Sequence, residues 1–290
     1  MATAELCVRK QKTFLFQLVR VKYFSLDFIN DFVEDVLKAC ELGITMAHLH
    51  VRDEVTQQSC YKMDRYARVI EGIRAFAPTL VICVSTSGRI FNDFEKRSEV
   101  LHLTAGLKPD MASLTLSSLN FNSQASINDP NMISRLAQKM LDNTIKPELE
   151  VFDSGMVNYA KYLIKKGILK PPYYFNLILG NISCAQADLL HAGLLINDLP
   201  EQTVFSIGGV GNYQLRMNSL AVSMGCGVRV GLEDNIWYDN NRTKLASNAD
   251  LLRRIKEIAR ANERELMTSS ELRNMLGLNH GFGAYGVKDS

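Results

Sequence analysis

The 290-residue chain has almost no net charge, no long hydrophobic run and no paired-cysteine motif, and each absence removes a class of function. Lysine plus arginine total 33 against 31 acidic residues, a formal charge of +2. So even a balance offers no electrostatic footprint for nucleic acid or for an anionic membrane surface, and the expected partner is a small molecule. No uninterrupted apolar stretch approaches the roughly 20 residues of a membrane span, and the opening MATAELCVRKQKTF lacks the apolar centre of a secretory signal. The six cysteines (7, 40, 60, 83, 184 and 226) show no CxxC spacing, and several sit in apolar stretches such as LVICVST. That is the usage of free thiols in a reducing compartment, so a cytoplasmic protein is expected. Pro/Gly/Ser-rich linkers, low-complexity tracts and breaks in composition are also missing. Residues 1–290 therefore read as one domain, with 265–290 as a C-terminal extension. At 47% hydrophobic and 22% charged residues, the chain can bury a sizeable core.

What is present is alternation. Short β-rich runs are expected at 14–21, 44–51, 80–85, 110–116, 148–152, 173–179, 203–209 and 227–233. Between them lie stretches such as DFINDFVEDVLKACELG and MDRYARVIEGIRAFAP, whose apolar spacing of three and four marks helices packed on a sheet. About eight strand-helix pairs over this length predict a (β/α)8 TIM barrel of parallel strands, with a doubly wound open sheet as the alternative. The tail MTSSELRNMLGLNHGFGAYGVKDS reads as a short helix capped by its serines, followed by a glycine-rich end.

Side chains alternate between the faces of a strand, so each strand divides into two rows. In HLHVRD, Ala47, Leu49 and Val51 oppose His48, His50 and Arg52. In GVRVGLE, Val228, Val230 and Leu232 oppose Arg229, Gly231 and Glu233. PELEVF sets Leu149 and Val151 against Glu148 and Glu150; DMASLTLSS sets Ala112, Leu114 and Leu116 against Ser113, Thr115 and Ser117. Ser85 and Ser87 join the polar side from VICVSTSG. A barrel interior is normally filled by branched apolar side chains, and buried charge must be paired or bound to metal. Five strands with polar inner rows near their carboxyl ends therefore predict one polar site at the carboxyl-terminal mouth.

Two histidines at i and i+2 of a strand have Cβ atoms about 6.5 Å apart on one face, close enough for two imidazoles to converge on one ion. Glu233 is the best candidate for a third ligand, because the second and eighth strands of a closed barrel both neighbour the first. Two nitrogens and a carboxylate favour zinc, with iron or manganese as alternatives. Arg229 carries a charge into the same site with Asp234 as its nearest partner in sequence. SIGGVGN, with Gly208, Gly209 and Gly211, ends a strand and opens a helix; it reads either as a seat for a phosphate or as an ordinary tight turn. His102, His191 and His280 have no companion ligand and read as surface or satisfied residues.

HLHVRD, STSGR, EVFDSGM and above all GVRVGLEDN followed by SNADLLRRIKEIARANERELMTSSELRNMLGL resemble the β-keto acid cleavage enzymes, the family typified by 3-keto-5-aminohexanoate cleavage enzyme, over nearly the whole chain from about residue 30. The resemblance implies a homo-oligomeric barrel, tetramer or dimer, that binds zinc through His48, His50 and Glu233. It implies conversion of a β-keto acid and acetyl-CoA into acetoacetate and a new acyl-CoA. Arg229 and Asp234 match the pair assigned to proton abstraction; Ser85 and Ser113 or Thr115 match positions that hold the keto acid carboxylate. Glu150 matches the position that reads the substrate's distal end and hints at a polar or cationic tail. The glycine turn is then a seat for CoA phosphates. Two departures stand out: LVRVKYFSLDFINDF replaces a longer, proline-containing first loop that carries a glutamate, and Ser117 replaces a glycine after the fourth strand. A metal-dependent aldolase or hydrolase needing no CoA, and a non-catalytic carboxylate-binding homologue, are the competing readings.

Overall fold

Eight parallel strands close into a barrel in the computed structural model, which describes residues 16–19, 28–54, 56 and 58–288. In chain order they are β1 (Phe16–Val19), β2 (Met46–Leu49), β3 (Val81–Val84) and β4 (Met111–Thr115), then, after a small antiparallel hairpin of β5 (Leu119–Asn120) and β6 (Ala125–Ser126), β7 (Lys146–Val151), β8 (Tyr173–Leu179), β9 (Thr203–Gly209) and β10 (Gly227–Val230). The barrel runs β1-β2-β3-β4-β7-β8-β9-β10, and β10 closes on β1 with Gln17 opposite Arg229. All eight expected strands are present. The first is seen only over its central residues, and the shortened first loop lies in residues 20–27, outside the described residues.

The two rows separate as the alternation requires. Ala47, Leu49, Val51, Ile82, Val84, Ala112, Leu114, Leu149, Val151, Val228 and Val230 all belong to the large apolar cluster under the helices. The helices are α1 (Phe28–Glu41), α2 (Met63–Phe76), α3 (Phe94–Ser98), α4 (Pro130–Asp142), α5 (Ser154–Lys165), α6 (Leu189–Asp198), α7 (Gln214–Met224), α8 (Asn248–Ala261) and α9 (Ser269–Met275). Their starts are written in acceptor side chains: Asp129, Asp153 and Asp188 cap α4, α5 and α6, and Ser247 with Asp250 forms a capping box on α8. None of these helices is long and apolar enough to cross a membrane.

Inside the barrel the filling changes along the axis. At the amino-terminal end Met46, Val81, Cys83, Met111 and Tyr174 pack against Met267, Leu272, Leu276 and Leu278. The C-terminal segment is thus a plug for the barrel floor. Helix α9 is capped by Thr268 through a capping box with Glu271, rather than by the serines of MTSSELR. It places Arg273, nearly inaccessible, in a two-armed ion pair with Asp110, at 2.8 Å for each arm. Arg273 also donates to the carbonyls of Thr79, Leu80 and Asn279, while Asp110 accepts from the amides of Ile82 and Gly286. Removing one partner strands a buried charge, so Asp110→Ala is expected to cost about 3–5 kcal/mol in urea unfolding. A loss below about 1 kcal/mol would show that the strap is not anchored this way.

Candidate active site at the carboxyl-terminal mouth

The inward row of β2 and the chain just beyond it carry His48 and His50, whose rings stack with centroids 4.9 Å apart and planes 20° from parallel. Glu233 arrives from the turn after β10, and its Oε2 lies 3.0 Å from His50 Nε2. That oxygen is buried with no hydrogen-bond partner among the described residues, so the close approach lacks the alignment of an N–H···O bond. Nitrogen and oxygen converge as two ligands of one ion do. Burial pushes Glu233 up, but His50, Arg89 and Arg229 outweigh it and hold the carboxyl well below its usual range; burial also lowers His50. A carboxylate and an uncharged imidazole are the forms that bind a divalent cation, and this donor set fits zinc.

The group of three potential ligands whose donor atoms lie mutually within 4.8 Å is, among the described residues, a different one: His48, Cys83 and Glu148, with neither His50 nor Glu233 in it. Its distances are those of a hydrogen-bonded cluster. Glu148 Oε2 is 2.6 Å from His48 Nδ1 and accepts from the Cys83 thiol at 3.1 Å. Burial drives the Cys83 thiol well above its ordinary value, which keeps it protonated. Burial would also raise Glu148, yet His48, then Arg229 and Cys83, bring it down to about 2. Glu148 therefore accepts a hydrogen bond from His48 Nδ1–H and leaves Nε2 to face an ion, the support that metal-binding histidines generally have. The chain of bonds continues across the barrel: Asn176 Nδ2 donates to Glu148 Oε1 at 2.8 Å, Ser206 to Asn176 Oδ1 at 3.0 Å, and Tyr174 to Ser206 at 2.9 Å.

Arg229 projects inward from β10 and pairs with Asp234 as the sequence led us to expect, Nε to Oδ2 at 2.9 Å and Nη2 to Oδ1 at 3.1 Å. Its Nη1 is buried, has no hydrogen-bond partner among the described residues, and lies 3.7 Å from Glu150 Oε1. Burial would lower this guanidinium, but Asp234, Glu233 and Glu150 raise it well above its usual value. Arg229 is thus a fixed cation rather than a proton acceptor. Burial raises Asp234 despite Arg229.

The other site residues named from sequence gather at one cleft, lined by His50, Ser85, Ser113, Thr115, Glu150 and Glu233. Thr115 donates to Glu150 Oε2 at 2.6 Å, and Ser113 Oγ accepts from the Thr86 amide at 3.1 Å. Arg89, which the strand rows do not reach because it follows β3 in a loop, lines the same cleft; its Nη2 is 3.2 Å from Glu233 Oε1. Asn176 and Ser206 were also missed, although each interrupts an apolar strand on its inward row.

The glycine turn divides. A Cβ on Gly208 would meet Arg229 Cβ at 2.9 Å, and one on Gly209 would meet the Tyr213 carbonyl oxygen at 2.6 Å. Both glycines make room for neighbours rather than for a ligand. The amides of Val210 and Gly211 already donate to Leu179 and Asp234 carbonyls. Gly211, at φ +59° with open space before it, lines a cavity of about 660 Å³ with Asn212, Arg216 and Arg242. The cations there, more than the turn amides, make that cavity suited to an anion.

A parallel barrel with two histidines, a carboxylate and a buried Arg–Asp pair at its carboxyl-terminal mouth has the architecture of a barrel enzyme's active site. The chain belongs to the beta-keto acid cleavage enzyme family, whose profile it matches over residues 29–278. It is 32% identical over 253 residues to the 3-keto-5-aminohexanoate cleavage enzyme of Fusobacterium nucleatum, covering 86% of this chain and 89% of that one. It is 33% identical over 255 residues to the 3-oxoadipate:acetyl-CoA acetyltransferase of Cupriavidus necator, covering 86% and 87%. The fold is shared with ObcA, solved as a ternary complex with a C4-CoA adduct and oxalate, at a TM-score of 0.70 and 19% identity. That match covers 86% of this chain and 66% of ObcA.

Proposed function

We propose that this chain is a zinc-dependent β-keto acid cleavage enzyme, condensing a β-keto acid with acetyl-CoA to yield acetoacetate and a new acyl-CoA. The observation that carries the reading is the convergence of His50 and Glu233 beside the Arg229–Asp234 pair, with His48 oriented by Glu148. His48, His50 and Glu233 would hold the ion; when bound, zinc supplies the Lewis acidity that acidifies the C2 protons of a β-keto acid.

The chain's own groups do the rest. Ser85 and Ser113 offer hydroxyl protons to the keto acid carboxylate at the cleft, where Thr115, whose own proton goes to Glu150, holds that side chain in place. Proton removal from C2 falls to the Arg229–Asp234 pair as a unit. Asp234 is the member whose burial raises its proton affinity, and Arg229, with Nη1 unspent, stabilises the enolate charge. The C2 carbanion attacks the acetyl thioester and expels the CoA thiolate. The thiolate then attacks the original acyl carbonyl, and the C–C bond to C2 breaks. Acetoacetate leaves after C2 is reprotonated, so no external oxidant, reductant or water is consumed.

The basic cavity lined by Gly211, Asn212, Arg216 and Arg242 is the seat we assign to the CoA phosphates. Arg216→Gln is expected to raise the KM for acetyl-CoA by roughly tenfold, the worth of one charge-assisted hydrogen bond. The KM for the keto acid should not move; equal changes in both would place CoA elsewhere. The function itself is tested by offering a panel of β-keto acids with acetyl-CoA to zinc-loaded protein and scoring acetoacetate. Formation that requires both substrates supports it, and absence with every keto acid overturns it.

A further inference from the structure

A second cavity, of about 370 Å³, opens off the His50/Glu233 pair between the segments that follow β2 and β3. Among the described residues its charged lining is one-sided: Arg52, Arg89, Lys96 and Arg97 against the single acid Glu233. Arg97 is buried and bonded only to neutral acceptors, the Thr86 and Ile127 carbonyls and Asn128 Oδ1. No carboxylate lies within ion-pair distance of it among the described residues, Asp129 and Glu150 acting on it from farther off, so it adds positive potential to the cavity wall. Arg89 lies over Phe121, with its guanidinium carbon 3.9 Å from the ring centroid. One donor reaches Glu233, and its remaining side-chain donors have no partner among the described residues. A guanidinium braced by a ring, partly open and aimed into a basic cavity is preorganised to clamp a carboxylate.

Glu150, the residue that hinted at a cationic substrate tail, is already engaged. It accepts from Thr115 and faces Arg229. The positive cavity, and not this carboxylate, is the open charged surface beside the reacting centre. Resting on the function proposed above, we propose that the keto acid is a dianion, a 3-oxo dicarboxylic acid, whose distal carboxylate is bound by Arg89 in this cavity.

The test compares three keto acids of equal chain length with zinc-loaded full-length protein and acetyl-CoA: 3-oxoadipate, 3-oxohexanoate and 6-amino-3-oxohexanoate. The kcat/KM for 3-oxoadipate is expected to exceed that for 3-oxohexanoate on the order of 100-fold, mostly through KM, as a charge-assisted clamp implies. Arg89→Gln should bring that ratio close to one, whatever it does to absolute rates. Lys96→Gln, at the cavity rim and away from Glu233, should reduce the ratio by a few-fold. Preference for the neutral or cationic acid, or an unchanged ratio in Arg89→Gln, overturns the inference. If none of the three turns over, the wider panel decides the proposed function, and calorimetry with unreactive ligands decides the inference separately. Adipate must then bind more tightly than hexanoate, with the difference lost in Arg89→Gln; equal binding overturns it.

Discussion

Glu233→Gln is expected to release the metal and to abolish turnover. Glu233 Oε2 lies 3.0 Å from His50 Nε2 and is buried, and the amide that replaces it brings no negative charge to offset a divalent cation. Outer-shell partners of a metal site alone are worth 10–100-fold in affinity, so loss of a direct carboxylate ligand should exceed roughly 100-fold. Glu148→Gln gives the graded comparison. It weakens the acceptor for His48 Nδ1 without removing a ligand, and should cost about 10–100-fold. Elemental analysis and competition with a chelator read both. Near-stoichiometric metal in Glu233→Gln would remove Glu233 from the ligand set.

The second large effect separates metal binding from chemistry. Asp234→Asn should keep the metal and lower kcat by about 10²–10⁴-fold, the range of a lost acid-base group. Asp234 is tied to Arg229 by two hydrogen bonds and is not one of the proposed ligands, so the ligands are left in place. Arg229 loses its principal counter-charge in this variant and is left facing Glu150 and Glu233 at 3.7 Å each. An accompanying loss of stability is expected, so unfolding should be measured on the same preparation. If Asp234→Asn and Glu233→Gln lose metal equally, the division of roles between the two neighbours is wrong.

The features legible in the sequence are those set by the strand period. Alternation alone turned His48, Arg229, Glu148 and Glu150 toward the barrel interior, because any slip of one residue would have buried them under the helices with Ala47 and Val228. It also brought Glu233 toward His50, since closure places β2 and β10 on either side of β1. What escaped lies off the strands or far apart in the chain. Arg89 sits in a loop, where no period says which way a side chain points, and the β5–β6 hairpin has strands of only two residues each. SIGGVGN shows that glycine is needed, but not for what. At Gly208 the close neighbour is the Arg229 side chain rather than a phosphate. The floor plug depends on Asp110 meeting Arg273, 163 residues later, and no local pattern announces such a pair.

The acyl exchange can be followed directly with acetyl-CoA carrying carbon-13 in both acetyl carbons, an unlabelled β-keto acid and the zinc-loaded chain. A Claisen exchange of acyl groups yields acetoacetate labelled at its carbonyl and methyl carbons alone, with one unlabelled acyl-CoA formed for each. Acetoacetate without label, or keto acid cleaved equally well when acetyl-CoA is left out, would contradict it.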